Sequence, residues 1–267
     1  MKICVRMLVF SLVACLFLAG CGTAPIEEGG TNILDDGLVT MYIPCKFSTV
    51  DMDGNVIEEA VFLCDKSDIE SGKLVFIPQS PFQDVAYLEM ANGAYTTYYQ
   101  NIDMVSNSTT YNAFGNGTKS VVTYAQSSHL EKTETFLELD DQGFLQRINT
   151  VTYLATGQKY ENPLSVEKEI TSEGVLLSYG DDVAWTEQLC SEDGRALESK
   201  GYREGIITHR NVNTFDEHGN LVEQDIYYSD NGKDEAVFRY TLCKQFEAVL
   251  VTEEVAALYP MFRNSKS

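Results

Sequence analysis

The stretch Phe215-Asp216-Glu217-His218-Gly219-Asn220-Leu221 predicts a tight hairpin turn in an antiparallel sheet. The Asp216 side chain can accept hydrogen bonds from the backbone N–H groups that follow it. Gly219 can take the positive φ that closes a type I turn with a G1 bulge. The apolar residues on either side, Phe215 and Leu221, then begin the two strands.

The same pattern recurs along the chain. It consists of an apolar residue, then Asp, Thr or Ser, two further residues, Gly, any residue and a second apolar residue. Copies lie at residues 50–56, 139–145, 170–176 and 215–221, with a looser copy at 190–196. Because each copy turns the chain back on itself, together they predict a series of long hairpins.

These copies resemble the YD, or RHS-like, repeat, and residues 215–221 (FDEHGNL) match it most closely. The resemblance covers residues 135–242 and, less completely, 45–65. It implies a meandering antiparallel sheet that serves display or binding outside the cell. It implies no catalytic residue, because the motif has none. Similar turns also fit an ordinary sandwich or half-barrel.

The segments between the turns have strand composition. They are rich in Val, Ile, Thr, Tyr and Phe, and the chain has 15 Tyr beside one Trp. Such segments include 73–77, 94–99, 119–124, 148–154 and 236–242. The best helix candidate is Phe246–Leu258, which ends before Pro260. We therefore predict a mainly β fold: an antiparallel meander of hairpins, as an open curled sheet, half-barrel or sandwich, with a short C-terminal helix.

The N-terminus predicts export and lipid attachment. Lys2 and Arg6 flank the start of an apolar run, Met7–Leu18, that is too short to span a membrane, which needs about 20 residues. Leu18-Ala19-Gly20-Cys21 then resembles the lipobox of bacterial lipoproteins. The resemblance implies that residues 1–20 are removed and that Cys21 carries lipid, including palmitate. The alternative is an ordinary secretory signal, which would leave Cys21 as a thiol.

The remaining chain divides into a tether and one domain. Residues 21–37 comprise the lipidated Cys21 and a flexible tether, and residues 38–267 form a single β-rich domain. The predicted location is the cell envelope, either the outer face of the cell membrane or, in a Gram-negative host, the outer membrane. The formal charge of −21 excludes nucleic acid as a partner, because its phosphates would be repelled.

Four cysteines follow the lipid site. Cys45 and Cys64 flank a turn at 53–54 almost symmetrically, which predicts a disulfide across a hairpin and leaves Cys190–Cys243 as a second pair. Buried free thiols are the alternative. No Cys-x-x-Cys spacing is present, so we expect no zinc site.

The sequence predicts no catalytic centre, cofactor or metal site. A calcium-loop alignment on Gly54 places Ala60 where a bidentate Glu is required, so turn capping explains the nearby acids better. The chain has three His and lacks the common catalytic motifs. One candidate ligand surface is the aromatic run of Tyr95, Tyr98 and Tyr99, although these rings could instead face the core.

The leading functional prediction is a non-enzymatic binding or display lipoprotein whose sheet face or hairpin loops contact a glycan or a protein. The alternative is a half-barrel that carries a lipid or another apolar ligand. A hydrolase would need convergent polar residues, which the sequence does not reveal.

Overall fold

Two antiparallel sheets make up the described part of the protein. The structure, a computed structural model, describes residues 38–62, 66–78, 84–113, 115–229 and 236–262. The predicted mainly β fold of hairpins is confirmed, and neither sheet closes on itself.

In spatial order the nine-stranded sheet contains β11 (Glu167–Thr171), β12 (Gly174–Gly180), β13 (Ala184–Cys190), β14 (Ala196–Arg203), β15 (Ile206–Phe215), β16 (Leu221–Ser229), β17 (Ala236–Thr252), β1 (Leu38–Asp51) and β2 (Val56–Val61). The eight-stranded sheet contains β10 (Lys159–Ser165), β9 (Leu145–Leu154), β8 (Leu130–Leu139), β7 (Gly117–Tyr124), β6 (Met104–Tyr111), β5 (Ala94–Tyr99), β4 (Val85–Ala91) and β3 (Lys73–Phe76).

The chain meanders through both sheets, so nearly all neighbouring strands are consecutive in sequence. The exception is the long pairing of β17 with β1, which runs from Leu38 opposite Thr252 to Asp51 opposite Tyr240. Val166 alone separates β10 from β11, so the chain passes directly from the eight-stranded sheet into the nine-stranded one. The β1–β17 pairing thus brings the two ends of the described chain together.

The turn predicted at residues 215–221 has the expected geometry. Asp216 Oδ1 accepts hydrogen bonds from the backbone N–H groups of His218 (2.9 Å) and Asn220 (2.8 Å). Gly219 has φ +84°. The strand register shifts between Thr214 and Phe215, as a bulge beside the turn requires. A local sequence pattern therefore determines how β15 returns as β16.

Two other copies behave in the same way and one does not. Asp51 and Asp140 each accept two backbone N–H bonds, and Gly54 and Gly143 both have φ +84°. At residues 170–176, by contrast, Thr171 pairs directly with Gly174 across a two-residue turn. That copy makes a tighter hairpin than the pattern predicted.

Two apolar clusters join the sheets. The larger packs β1 and β17 against β3–β5, and its buried members include Met41, Ile43, Leu74, Met90 and Tyr259. The smaller packs Phe144, from the turn between β8 and β9, against Val175, Leu177, Cys190 and Ala196. Along β5–β7 and β15–β16 several buried side chains are instead polar: Thr97, Asn107, Thr109, Ser120, Asn211 and Gln224.

The helix predicted over Phe246–Leu258 is wrong in its first half. Residues up to Thr252 belong to β17, because they complete the ladder with the first residues of β1. Only α2 (Glu253–Ala257) is helical, and it begins where the Thr252 side chain accepts the backbone N–H of Val255 at 3.4 Å. The predicted short C-terminal helix is therefore present. A five-residue helix, α1 (Lys66–Glu70), precedes β3, and a 3-10 turn, Pro260–Phe262, follows α2.

The predicted pair Cys190–Cys243 is wrong. Cys190 lies in β13 and Cys243 in β17, with three strands between them, so at about 4.8 Å per strand their backbones are much too far apart for a disulfide. Cys45, Cys190 and Cys243 are all free thiols. Cys64 lies outside the described residues, so for the predicted pair Cys45–Cys64 the structure shows only that Cys45 is a free thiol.

The predicted signal peptide, Cys21 and the tether to residue 37 also lie outside the described residues. Among the helices that the structure describes, none has the length and apolar character needed to cross a membrane.

Candidate functional site

The candidate site lies on the outer face of the nine-stranded sheet, which is the face turned away from the apolar clusters. Along β13, Cys190 is buried in the smaller cluster, whereas Trp185, Glu187 and Leu189 are half-buried. Because side chains alternate along a strand, these three residues share the face opposite to Cys190. The site is built around Trp185.

Trp185 stacks on Tyr202, its cross-strand partner on β14. The ring centroids are 4.8 Å apart and the ring planes differ by only 9°. A near-parallel pair on neighbouring strands fixes the indole ring upright on the sheet. One face of the Trp185 ring is therefore covered by Tyr202, and the other is directed toward β12.

Gly180 is the residue of β12 opposite Trp185. It has no side chain, and a Cβ built on it would lie 2.5 Å from Trp185 Cα and 2.9 Å from Trp185 Cβ, besides clashing with the Ala184 carbonyl oxygen. The backbone therefore excludes any larger residue at position 180. As a result, position 180 places no side chain against the second face of the indole.

We call the space beside that ring face the Trp185 slot. It is bounded by Gly180 and Ser178 of β12 and by Trp185 and Glu187 of β13, and Ser178 is paired with Glu187 across it. Tyr202 donates a hydrogen bond from its hydroxyl to Glu187 Oε2 at 2.9 Å. The ring stack and the carboxylate are thus held in place by the same tyrosine.

The phenol of Tyr202 stays a donor at physiological pH. Burial and the hydrogen bond to Glu187 raise the pKa of Tyr202 to about 12. Since the phenol does not ionise near neutrality, it keeps its proton for the hydrogen bond to the Glu187 carboxylate. That bond orients a hydrogen-bond acceptor at the edge of the slot.

A shallow depression of about 240 Å³ continues from the slot along the same strands. Its lining comprises Thr171, Ser172, Glu173, Leu176, Glu187, Leu189, Glu198 and Lys200. Leu176 and Leu189 are cross-strand partners and give it an apolar floor. Carboxylates and Lys200 surround that floor, so the depression combines apolar and polar contacts in the way that ligand sites do.

Glu198 anchors the charged edge of the depression. It pairs with Lys200 at 3.0 Å and with the Arg210 guanidinium, which also lies 5.2 Å from the centre of the Tyr227 ring. Burial favours a higher pKa for Glu198, but hydrogen bonds from Lys200 and Arg210 outweigh it and hold the pKa below its usual value. Glu198 is therefore a fixed carboxylate and not a proton donor.

The predicted aromatic surface of Tyr95, Tyr98 and Tyr99 is wrong as a group. Tyr95 and Tyr99 are 4% and 8% exposed and belong to the larger apolar cluster. Tyr98 points to the opposite face of β5, where it stacks on Tyr87 with ring centroids 4.2 Å apart. The alternation of β5 separates the three rings onto two faces, which their spacing in the sequence already allowed.

The described residues offer no centre for metal chemistry, since no group of three or more His, Cys, Asp or Glu side chains is arranged to hold an ion. His209 is half-buried and packs against Gly201, and this burial lowers its pKa. His218 stacks on Tyr42 with centroids 4.5 Å apart. Each of these two histidines therefore has a packing role.

Reasoning from the sequence missed the Trp185 slot. The signal that could have found it is the single Trp of the chain, which follows Gly180 by five residues. Such spacing places the two residues opposite each other if the turn has four residues. The register that decides this is a property of the sheet and not of the pattern alone.

Comparison with known proteins identifies no family. No family model matches the chain, and no curated protein matches it. Among solved structures, it is similar to a porin-like protein from Bacteroides vulgatus (TM-score 0.41, 7% identity) over 76% of this chain and 98% of the other. It is also similar to a porin-like protein from Bacteroides uniformis (TM-score 0.39, 9% identity) with the same coverage. Neither similarity is close enough to transfer a function.

Proposed function

We propose that this protein is a non-enzymatic binding protein of the bacterial cell envelope, held there by lipid on Cys21, and that the Trp185 slot receives its ligand. The observation that carries the proposal is the indole ring that stacks on Tyr202 and faces the side-chain-free Gly180. An aromatic face left open beside an oriented carboxylate is a feature of binding sites rather than of packing.

The carrier alternative is not favoured. A cavity for a lipid chain needs an apolar lining, because an apolar ligand cannot replace the hydrogen bonds of buried polar groups. The buried residues of the central strands include Asn107 (5% exposed), Asn211 (2% exposed) and Gln224 (2% exposed). A polar ligand on the outer face agrees better with this distribution.

Binding without catalysis agrees with the chemistry of the site. Glycoside hydrolysis, the reaction that carboxylates beside an aromatic ring suggest, needs one carboxyl group that is protonated near neutral pH. The pKa of Glu198 is shifted in the opposite direction by Lys200 and Arg210. We therefore assign the carboxylates of this face to ligand contacts.

The lipid anchor is tested by fractionation of cells that express the full chain. We expect the wild-type protein in the membrane fraction and the Cys21→Ala variant in the soluble fraction or the medium, because the lipid rather than charge attaches this acidic protein. Cys45→Ala is the matched control and should remain with the membrane. Membrane retention of Cys21→Ala would contradict the anchor.

A further inference from the structure

We infer that the Trp185 slot takes one uncharged pyranose ring of a longer glycan, an inference that rests on the binding role proposed above. The slot has the three components that such a ring requires. It has a flat aromatic face for the C–H side of the sugar, acceptors for its hydroxyl groups, and an open continuation for the next residue of the glycan.

The aromatic component is preorganised. A sugar ring that stacks on Trp185 meets an indole already fixed by its stack on Tyr202, with ring centroids 4.8 Å apart and ring planes 9° from parallel. No side chain has to be displaced, because Gly180 contributes none. Ligand binding to a fixed ring loses little side-chain entropy, which favours affinity for a weakly interacting group such as a pyranose.

The polar component lies beside the ring. Tyr202 holds Oε2 of Glu187 at 2.9 Å, which orients the carboxylate along the edge of the slot. Ser178, directly opposite Glu187, offers a hydroxyl on the other strand. Carboxylates accept hydrogen bonds strongly from neutral hydroxyl groups, so this pair suits the equatorial hydroxyls of a sugar.

The charge of the surroundings disfavours an acidic ligand. Asp181 and Asp182 are exposed in the turn beside Gly180, and Glu173 lines the adjoining depression, so an acidic sugar would be repelled. A ring that carries only hydroxyl or acetamido groups avoids this repulsion.

The depression floored by Leu176 and Leu189 provides the continuation. It lies along the same two strands, two residues from Ser178 and Glu187, and its volume of about 240 Å³ leaves room for part of a second ring. Successive residues on one face of a strand are about 6.6–6.8 Å apart, so the slot and the depression are neighbours along the strands. The glycan would therefore run parallel to β12 and β13.

The test uses the fluorescence of Trp185, which is the only Trp of the chain and therefore reports on this slot alone. The soluble Cys21→Ala protein is titrated separately with hexasaccharides of β-1,4-glucose, β-1,4-mannose, β-1,4-xylose and β-1,3-glucose and with hexa-N-acetylchitohexaose. We expect at least one of these neutral oligosaccharides to shift the emission in a saturable way. Oligogalacturonate should bind at least tenfold more weakly.

Matched variants of Ser178 locate the binding. Ser178→Tyr fills the space over Gly180 without changing Trp185 and should weaken binding at least tenfold, whereas Ser178→Ala removes one hydroxyl contact without filling the space and should weaken binding less than Ser178→Tyr does. Circular dichroism checks that each variant is folded. Trp185→Phe is the second variant, and its binding is measured by calorimetry because it lacks the Trp fluorophore. It keeps a smaller aromatic ring and should weaken binding without abolishing it.

Two outcomes would overturn the inference. One is the absence of a saturable emission change with every neutral oligosaccharide; the other is unchanged binding by folded Ser178→Tyr. If choline or oligogalacturonate alone saturates the emission change, the pyranose assignment fails while the Trp185 slot remains a binding site. If the emission responds neither to these compounds nor to a total polysaccharide extract of the cell envelope, the proposed function fails as well.

Discussion

Single side chains determine the turns of this protein, and these were the features best predicted from the sequence. Asp51, Asp140 and Asp216 each bind two backbone N–H groups within four residues, beside a glycine at positive φ. All the interacting groups lie within one seven-residue pattern, so no distant information is needed. The side-chain partners that come from other strands, such as Lys168 of β11 for Asp140, could not be predicted in this way.

The Asp140 turn should make the stability of the protein depend on acid pH. Burial favours a higher pKa for this carboxyl, but the hydrogen bonds from Lys168 (2.6 Å) and the backbone N–H of Phe144 outweigh it and lower the pKa below 3.8. A lowered folded pKa means that the ionised group stabilises the fold above the unfolded pKa. That contribution is lost as the pH falls from about 4 through the folded pKa.

The measurement is urea unfolding at pH 7 and pH 3. Asp140→Asn keeps an acceptor oxygen but carries no charge, so it should lower stability at pH 7 and lose less stability than wild type on acidification. Glu169→Gln, on the exposed edge strand β11, is the control and should follow the wild type. Equal acid sensitivity of Asp140→Asn and wild type would refute this role of Asp140.

At the scale of strands and helices, the sequence predicts where several strands lie but not which strands pair with each other. Strand-forming segments such as 94–99 and 119–124 lie in β5 and β7. The apolar residues of Phe246–Thr252 fit either period, and only the pairing with β1 decides for a strand. The Trp185 slot has the same origin. It exists because the register of β12 and β13 places Trp185 opposite Gly180.

The β12–β13 hairpin should therefore be unusually intolerant of a side chain at position 180. Gly180→Ala combines positive φ (+136°) with a clash against β13 and should lower the free energy of unfolding by about 3 kcal/mol. Gly205→Ala, in the adjacent β14–β15 turn, has φ +81° with nothing within 4 Å of the new Cβ. It should cost only about 1–2 kcal/mol.

Chemical denaturation of the two variants, side by side, checks this difference. Equal losses of unfolding free energy in the two variants would mean that backbone strain alone makes position 180 intolerant of a side chain. The close approach of β13, on which the open ring face of Trp185 depends, would then be absent.

At the scale of the whole molecule, the sequence predicted a single run of hairpins but not its division into two sheets. The division depends on Val166, which alone separates β10 from β11, and on the contact of Phe144 with Leu177 and Cys190 across the sheets. These contacts join residues more than 30 positions apart, beyond the range of any turn pattern. Each sheet carries a stacked pair of Tyr or Trp rings on its outer face: Trp185–Tyr202 on the nine-stranded sheet and Tyr87–Tyr98 on the eight-stranded sheet.

Those two aromatic pairs allow the most direct test of the claim that the Trp185 face is the binding face. Hydroxyl-radical footprinting of the mature protein, with and without polysaccharide from its own cell envelope, measures the oxidation rate of each ring. We predict that the polysaccharide slows oxidation of Trp185 and Tyr202 and leaves Tyr87 and Tyr98 unchanged. Protection of Tyr87 and Tyr98 instead, or no protection at either pair, would contradict the account.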